Sequence, residues 1–134
     1  MEMEITFDGG KIITAHLKGH DIKTDQPETG GGTNSAPAPF DLFLASIGTC
    51  AGIYVKSFCD QRSIATDKIK IIQTIDYDMQ KHLPSKIKLD IQLPADFPEK
   101  YRNAVISAAD LCAVKRAIAD PPVFEVVTSL VDQA

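Results

Sequence analysis

Three features of this sequence predict an α+β fold in which strands and helices occupy separate runs of the chain. Two stretches with alternating apolar and polar side chains, residues 2–8 and 11–18, open the sequence around Asp8-Gly9-Gly10. A long apolar run of helical length then follows a loop rich in Gly and Pro, and a second pair of alternating stretches, residues 68–78 and 85–93, precedes shorter helical segments. Strands, helix, hairpin and helices in that order do not give the regular strand–helix alternation of a parallel α/β sheet. With 134 residues the chain can bury one core, and a single domain spanning residues 1–134 is expected.

Each element follows from local chemistry. The alternation in residues 2–8 and 11–18 has the period of half-buried strands, and the Asp-Gly-Gly between them suits a tight hairpin. After Gly19, residues 20–25 read as a third strand. Residues 26–38 lack any apolar period and are dominated by Gly, Pro, Thr, Asn and Ser, which predicts a long loop of the kind that often carries function. Pro37 and Pro39 lead into a helix over residues 40–62, about six turns long. Its first half is apolar nearly all round, so it is expected to run through the middle of the molecule. Ser46, Gly48, Ala51 and Gly52 would admit a second helix closely. The two glycines each cost about 1 kcal/mol of helix propensity relative to Ala, which close packing would offset.

Beyond the helix, Ile69, Ile71, Ile75 and Tyr77 mark one face of a strand over residues 68–78. Ile87, Leu89, Ile91 and Leu93 do the same over residues 85–93, and residues 80–84 connect the two. Pro98 stands in the favoured first turn of a helix that continues through Tyr101, Val105, Ile106 and Ala109. A short helix is expected over residues 113–119, ended by Pro121-Pro122, and residues 124–131 read as a last strand.

Charge and composition exclude several function classes. The net charge is −4, and the basic residues are scattered among acidic ones, so nucleic acid is not an expected partner. The amino terminus, Met1-Glu2-Met3-Glu4, carries acid where an export signal carries base, which predicts a cytoplasmic protein. The longest mostly apolar stretch, residues 40–54, is shorter than the roughly 20 residues a bilayer span needs, so no membrane partner is expected.

The chemistry-bearing residues are Cys50, Cys59 and Cys112. An odd number cannot pair completely within one chain, and neither they nor His16, His20 and His82 have metal-ligand spacing, so no metal and no cofactor is expected. Cys59, nine residues after Cys50, would point to the opposite side of the helix roughly 13 Å along it. Cys50 reads either as a small packing residue or as a nucleophile. Cys112 lies at the start of a short helix just before Lys115 and Arg116, where unpaired amides and cations favour a thiolate.

The run Gly31-Gly32-Thr33-Asn34-Ser35-Ala36-Pro37-Ala38-Pro39-Phe40-Asp41-Leu42-Phe43-Leu44-Ala45-Ser46-Ile47-Gly48-Thr49-Cys50, with Leu111-Cys112-Ala113-Val114 about sixty residues later, resembles the OsmC/Ohr family of osmotically inducible and organic hydroperoxide resistance proteins. The resemblance implies an OsmC-like fold in which antiparallel sheets pack around long central helices in an intertwined homodimer. It further implies a thiol-dependent peroxidase, with Cys50 as peroxidatic and Cys112 as resolving cysteine, joined in a disulfide after one turnover. The implied substrate is a small organic hydroperoxide, with Phe40, Asp41, Phe43 and Ile47 as candidates for binding it. An external dithiol, such as a lipoyl protein, would be the reductant.

The sequence also departs from the family. Phe40 stands where hydroperoxide-resistance members place a Glu, no arginine precedes Arg62, and Ala113 replaces the usual proline after the second cysteine. Two other readings therefore accompany the peroxidase: a non-catalytic dimer that binds an apolar small molecule, and a thiol redox sensor.

Overall fold

The computed structural model describes residues 1–132. The chain divides into two compact units, one formed by Met1–Thr49 with Ile71–Asp90 and the other by Cys50–Lys70 with the chain from Ile91 onward. The long helix α1, Pro39–Asp60, contributes its first half to one unit and its second half to the other.

In the first unit, strands β1 (Glu4–Phe7), β2 (Ile13–Leu17) and β3 (His20–Thr24) form an antiparallel sheet in the order β1-β2-β3. Glu4 pairs with His16 and Phe7 with Ile13 in the first hairpin, whose turn places Gly9 and Gly10 at positive φ. Leu17 pairs with His20 around Lys18-Gly19, both also at positive φ, as a two-residue turn matched to strand twist demands. All three strands stand where the sequence predicts them. The loop after β3 contains one 3-10 turn, Glu28–Gly30. β4 (Lys70–Asp78) and β5 (Leu83–Gln92) make a second hairpin, and its turn is set by Asp78, whose carboxylate accepts the amides of Gln80 and Lys81 at 2.9 and 3.0 Å. β5 starts two residues earlier than the sequence suggests.

The second unit holds the rest of α1, a 3-10 turn at Glu99–Tyr101, α2 (Arg102–Asp110) and α3 (Ala113–Ala119). Its buried apolar residues are Ala51, Val55, Cys59, Phe97, Val105, Ala109 and Cys112. The carboxyl end of α1 is closed by Arg62, which donates to the Phe58 carbonyl at 3.0 Å and lies 3.7 Å over the Phe58 ring. Phe58 meets Tyr101 edge to face at 5.7 Å.

Three sequence expectations are corrected. Burial on α1 follows one stripe, Leu44, Ile47, Ala51, Val55 and Cys59, while Phe40, Phe43 and Ile53 stay exposed. Apolar composition all round a helix tells which side chains avoid water, and this chain alone covers a single face of it. Second, α1 has 22 residues and a mean hydropathy of 1.5 in its best window, so by length and composition it is long and apolar enough to cross a membrane. The shorter stretch counted in the sequence stopped at Tyr54, before the helix does. Third, residues 124–131 form no strand. Val123, Phe124, Val126, Val127, Leu130 and Val131 are exposed, and a strand without a neighbouring edge has no partner for its amides and carbonyls.

Candidate functional site

Cys50 and Cys112, both in the second unit, come together. Cys50 lies on α1; Cys112 is the residue that caps the start of α3, with extended backbone (φ −45°, ψ 124°). The chain reverses sharply there. Leu111 and Cys112 donate their amides back to Ala108 and Ala109 at 3.1 and 3.3 Å, and the Cys112 carbonyl accepts the Arg116 amide at 3.1 Å to start the next helix. This reversal buries Cys112 completely and leaves the first amides of α3 without intrahelical acceptors.

Those amides find the Cys50 sulfur. Hydrogen bonding from the Val114 amide first, then from the Cys112 thiol and the Ala113 amide, favours the charged form of the Cys50 sulfur. With the positive charge of Arg116, these contacts outweigh burial and hold the Cys50 thiol below its ordinary value. Cys50 is partly exposed, and all three cysteines are present as thiols without a disulfide. The sequence directs the amides and cations of α3 at Cys112; in the structure the Val114 and Ala113 amides and the charge of Arg116 act on Cys50, while Lys115 is paired with Asp110. Cys59 differs in kind. It is fully buried, and desolvation followed by the adjacent Asp60 pushes its thiol up.

The remaining predicted site residues all lie on the first half of α1. Phe40 and Phe43 pair with ring centroids 5.3 Å apart and remain half exposed. Asp41 turns back to accept the Ala38 amide at 3.3 Å, a capping contact at the helix entrance. Ile47 is buried. The hydroxyls of Ser46 and Thr49 donate to the helix's own carbonyls, Phe43 and Ala45, at 2.6 and 2.9 Å.

Two groups in the first unit escape sequence reasoning. Buried Asp25 gathers the loop before α1: its Oδ1 accepts the Gln26 amide at 2.8 Å, and its Oδ2 accepts the amides and hydroxyls of Thr33 and Ser35. Those bonds, with the Ser35 amide first, hold its carboxyl far below the usual carboxylate range. An acid followed at a distance by Thr-x-Ser is the only trace this leaves in the sequence. Gln73 is the other group, a polar residue between Ile71 and Ile75 on the inward face of β4, and its amide donates to the Leu44 carbonyl at 2.9 Å. A polar residue at an inward strand position is a signal that could have found it.

Among the described residues, no three His, Cys, Asp or Glu side chains gather to hold a metal ion. A cavity of about 280 Å³, lined by Ile91, Leu93, Phe97 and Arg102 among others, lies in the second unit and has neither Cys50 nor Cys112 in its wall.

Comparison with known proteins identifies the family and the fold. The family model described as OsmC-like protein matches residues 32–127. No curated protein matches the chain by sequence. Among solved structures, the chain is similar to a Psychrobacter arcticus protein ascribed to osmotic stress induction and detoxification response. The TM-score is 0.72 at 20% identity, covering 86% of this chain and 85% of that one. It is also similar to an organic hydroperoxide resistance protein OsmC from Legionella pneumophila, with TM-score 0.53, 17% identity and coverage of 88% and 89%. A third similar structure, from Vibrio cholerae, is ascribed to organic hydroperoxide resistance and has captopril bound in one of its active sites. There the TM-score is 0.55 at 16% identity, with coverage of 90% and 86%.

Proposed function

Because this chain belongs to the OsmC-like protein family and has its α+β fold, we propose that it is a thiol-dependent peroxidase that reduces organic hydroperoxides through Cys50 and Cys112. One observation carries the reading: the Cys112 thiol is hydrogen-bonded to a Cys50 sulfur whose thiolate is already favoured by the Val114 and Ala113 amides. A nucleophile and a second thiol in contact, both in one unit, are what a two-cysteine cycle requires.

The Cys50 thiolate attacks the outer oxygen of the hydroperoxide. An S–O bond forms, the O–O bond breaks, and the departing alkoxide takes a proton to leave as an alcohol. Cys50 is now a sulfenic acid, oxidised by two electrons. The Cys112 sulfur, losing its proton, attacks Cys50; an S–S bond forms, and the hydroxide that leaves takes up a proton as water. An external dithiol, such as a protein-bound dihydrolipoyl group, reduces the disulfide and restores both thiols. The half-exposed rings of Phe40 and Phe43, with Ile47 and Asp41 on the same helix, are the residues assigned to the organic part of the substrate.

The functional unit in this reading is an intertwined homodimer. The single chain exposes 10,475 Å², against about 6,900 Å² expected for a folded monomer of this mass. Phe40, Phe43 and Ile53 on α1 and the apolar residues of the carboxyl-terminal segment contribute to that excess. A second copy of the chain is the partner that would cover them.

The Phe40–Phe43 pair also favours a second reading, a non-catalytic dimer that holds an apolar small molecule. One experiment separates the two. Free thiols are counted before and after one equivalent of cumene hydroperoxide, on the wild type and on Cys50→Ser and Cys112→Ser. The peroxidase loses two thiols in the wild type, one in Cys112→Ser and none in Cys50→Ser. A wild type that keeps all its thiols overturns the peroxidase and leaves the ligand-binding dimer.

A further inference from the structure

We propose that Arg116 is the positioning residue that sustains the Cys50 thiolate, a role that rests on the peroxidase reading for its purpose but not for its measurement. The chain has three arginines. Arg62 is stacked on Phe58 and donates to its carbonyl. Arg102 is paired with Glu99 at 3.1 Å. Neither Arg62 nor Arg116 has a carboxylate partner among the described residues, but Arg62 is held at the carboxyl end of α1, whereas the Arg116 side chain donates from Nε to the Leu111 carbonyl at 3.2 Å, beside Cys112.

That bond fixes where the charge stands. Leu111 directly precedes Cys112, so the Arg116 side chain folds back along α3 toward its first turn, the end at which the Ala113 and Val114 amides meet the Cys50 sulfur. Since Nε makes the contact, both terminal amino groups of the guanidinium are left unpaired among the described residues. A cation already paired with a carboxylate would add little field at the sulfur, and Lys115 is in that position, bound to Asp110 at 2.8 Å. Arg116 keeps its full charge. The charged and titratable groups brought to the sulfur are thus Arg116 and the Cys112 thiol, and the guanidinium lowers the Cys50 thiol along with the amides. Because Arg116 is exposed, salt should screen its contribution while leaving that of the amides in place.

The test is the pH profile of Cys50 alkylation by iodoacetamide, read by peptide-resolved mass spectrometry without any peroxide. In Arg116→Gln the midpoint of the profile moves to higher pH and the rate at pH 7 falls several-fold; Arg116→Lys, which keeps the charge, restores most of it. Lys115→Gln leaves the profile in place. Raising ionic strength moves the wild-type midpoint toward that of Arg116→Gln. Superimposable profiles for wild type and Arg116→Gln, with matching circular dichroism, overturn the proposal. If Arg116→Gln does not fold, a wild-type midpoint that ignores salt overturns it instead. Loss of the peroxidase activity altogether would not move these profiles, so the two readings fail separately.

Discussion

Gln73 and Gly48 are fitted to each other: a Cβ added at Gly48 would lie 2.6 Å from the Gln73 side-chain oxygen, while the Gln73 amide holds the Leu44 carbonyl one turn earlier on α1. The absence of a side chain at Gly48 is what lets Gln73 reach the helix backbone.

Gly48→Ala therefore sets two effects of similar size against each other. Alanine gains about 1 kcal/mol of helix propensity, and displacing the flexible Gln73 amide loses a hydrogen bond worth about 1 kcal/mol. Urea denaturation should find Gly48→Ala within about 1 kcal/mol of wild type, whereas in a Gln73→Ala background the same change stabilises by up to about 1 kcal/mol. Equal effects in both backgrounds would show that the two residues are not coupled.

Gly32→Ala should behave very differently. Its Cβ would fall 2.1 Å from the Gln26 carbonyl oxygen and 2.7 Å from Asp25 Oδ1, and the nearer obstacle is backbone that has nowhere to go. A melting temperature well below that of Gly48→Ala is expected; similar values would contradict the loop geometry.

Asp25 makes the loop sensitive to acid. Its folded carboxyl lies below the unfolded value of 3.8, so the stability it contributes is complete above about pH 4 and is lost as the pH falls below that. Asp25→Asn replaces an acceptor with an amide that faces the donors of Thr33 and Ser35 or of Gln26. Thermal melts between pH 2 and pH 7 should show Asp25→Asn less stable than wild type at neutral pH and with a shallower decline in acid. Parallel curves would remove Asp25 from this role.

The three thiols should react in a fixed order. At pH 7 limiting iodoacetamide should label Cys50 first, because its thiolate is favoured and its sulfur is partly exposed, and should leave Cys59 unlabelled until the protein is unfolded. Early labelling of Cys59 would mean that the second half of α1 is not packed as described.

Removal of the chain after Pro122 tests the partner surface. If the apolar residues from Val123 to Val131 seat on a second copy, sedimentation of the truncated protein should show a weakened dimer. An unchanged dimer would assign those residues elsewhere.

Most of the fold was legible because period-2 and helical patterns report backbone state directly. The hairpin at Gly9-Gly10, the extent of α1 and the start of α3 after Cys112 all follow from neighbours in sequence. What stayed hidden depends on distance in the chain. That α3 would present its amides to Cys50 rather than to Cys112 needs a helix some sixty residues away, and the Asp25 contacts need a loop folded on itself. The expected strand over residues 124–131 failed for a related reason: its alternation describes a surface suited to pairing, and pairing requires an edge that this chain does not offer it.

The clasp at Asp25 also sorts the loop by its tolerance of added length. Thr33 and Ser35 are spaced to bring four donors onto one oxygen, so a residue inserted between them would pull two of those donors away. The exposed turn at Glu28–Gly30 lies outside those contacts, between their two ends, where extra residues only lengthen an excursion already closed at its base. A peptide tag or fluorophore-bearing insert placed after Thr29 should therefore leave the helix entrance intact, which makes this turn a handle for labelling the protein.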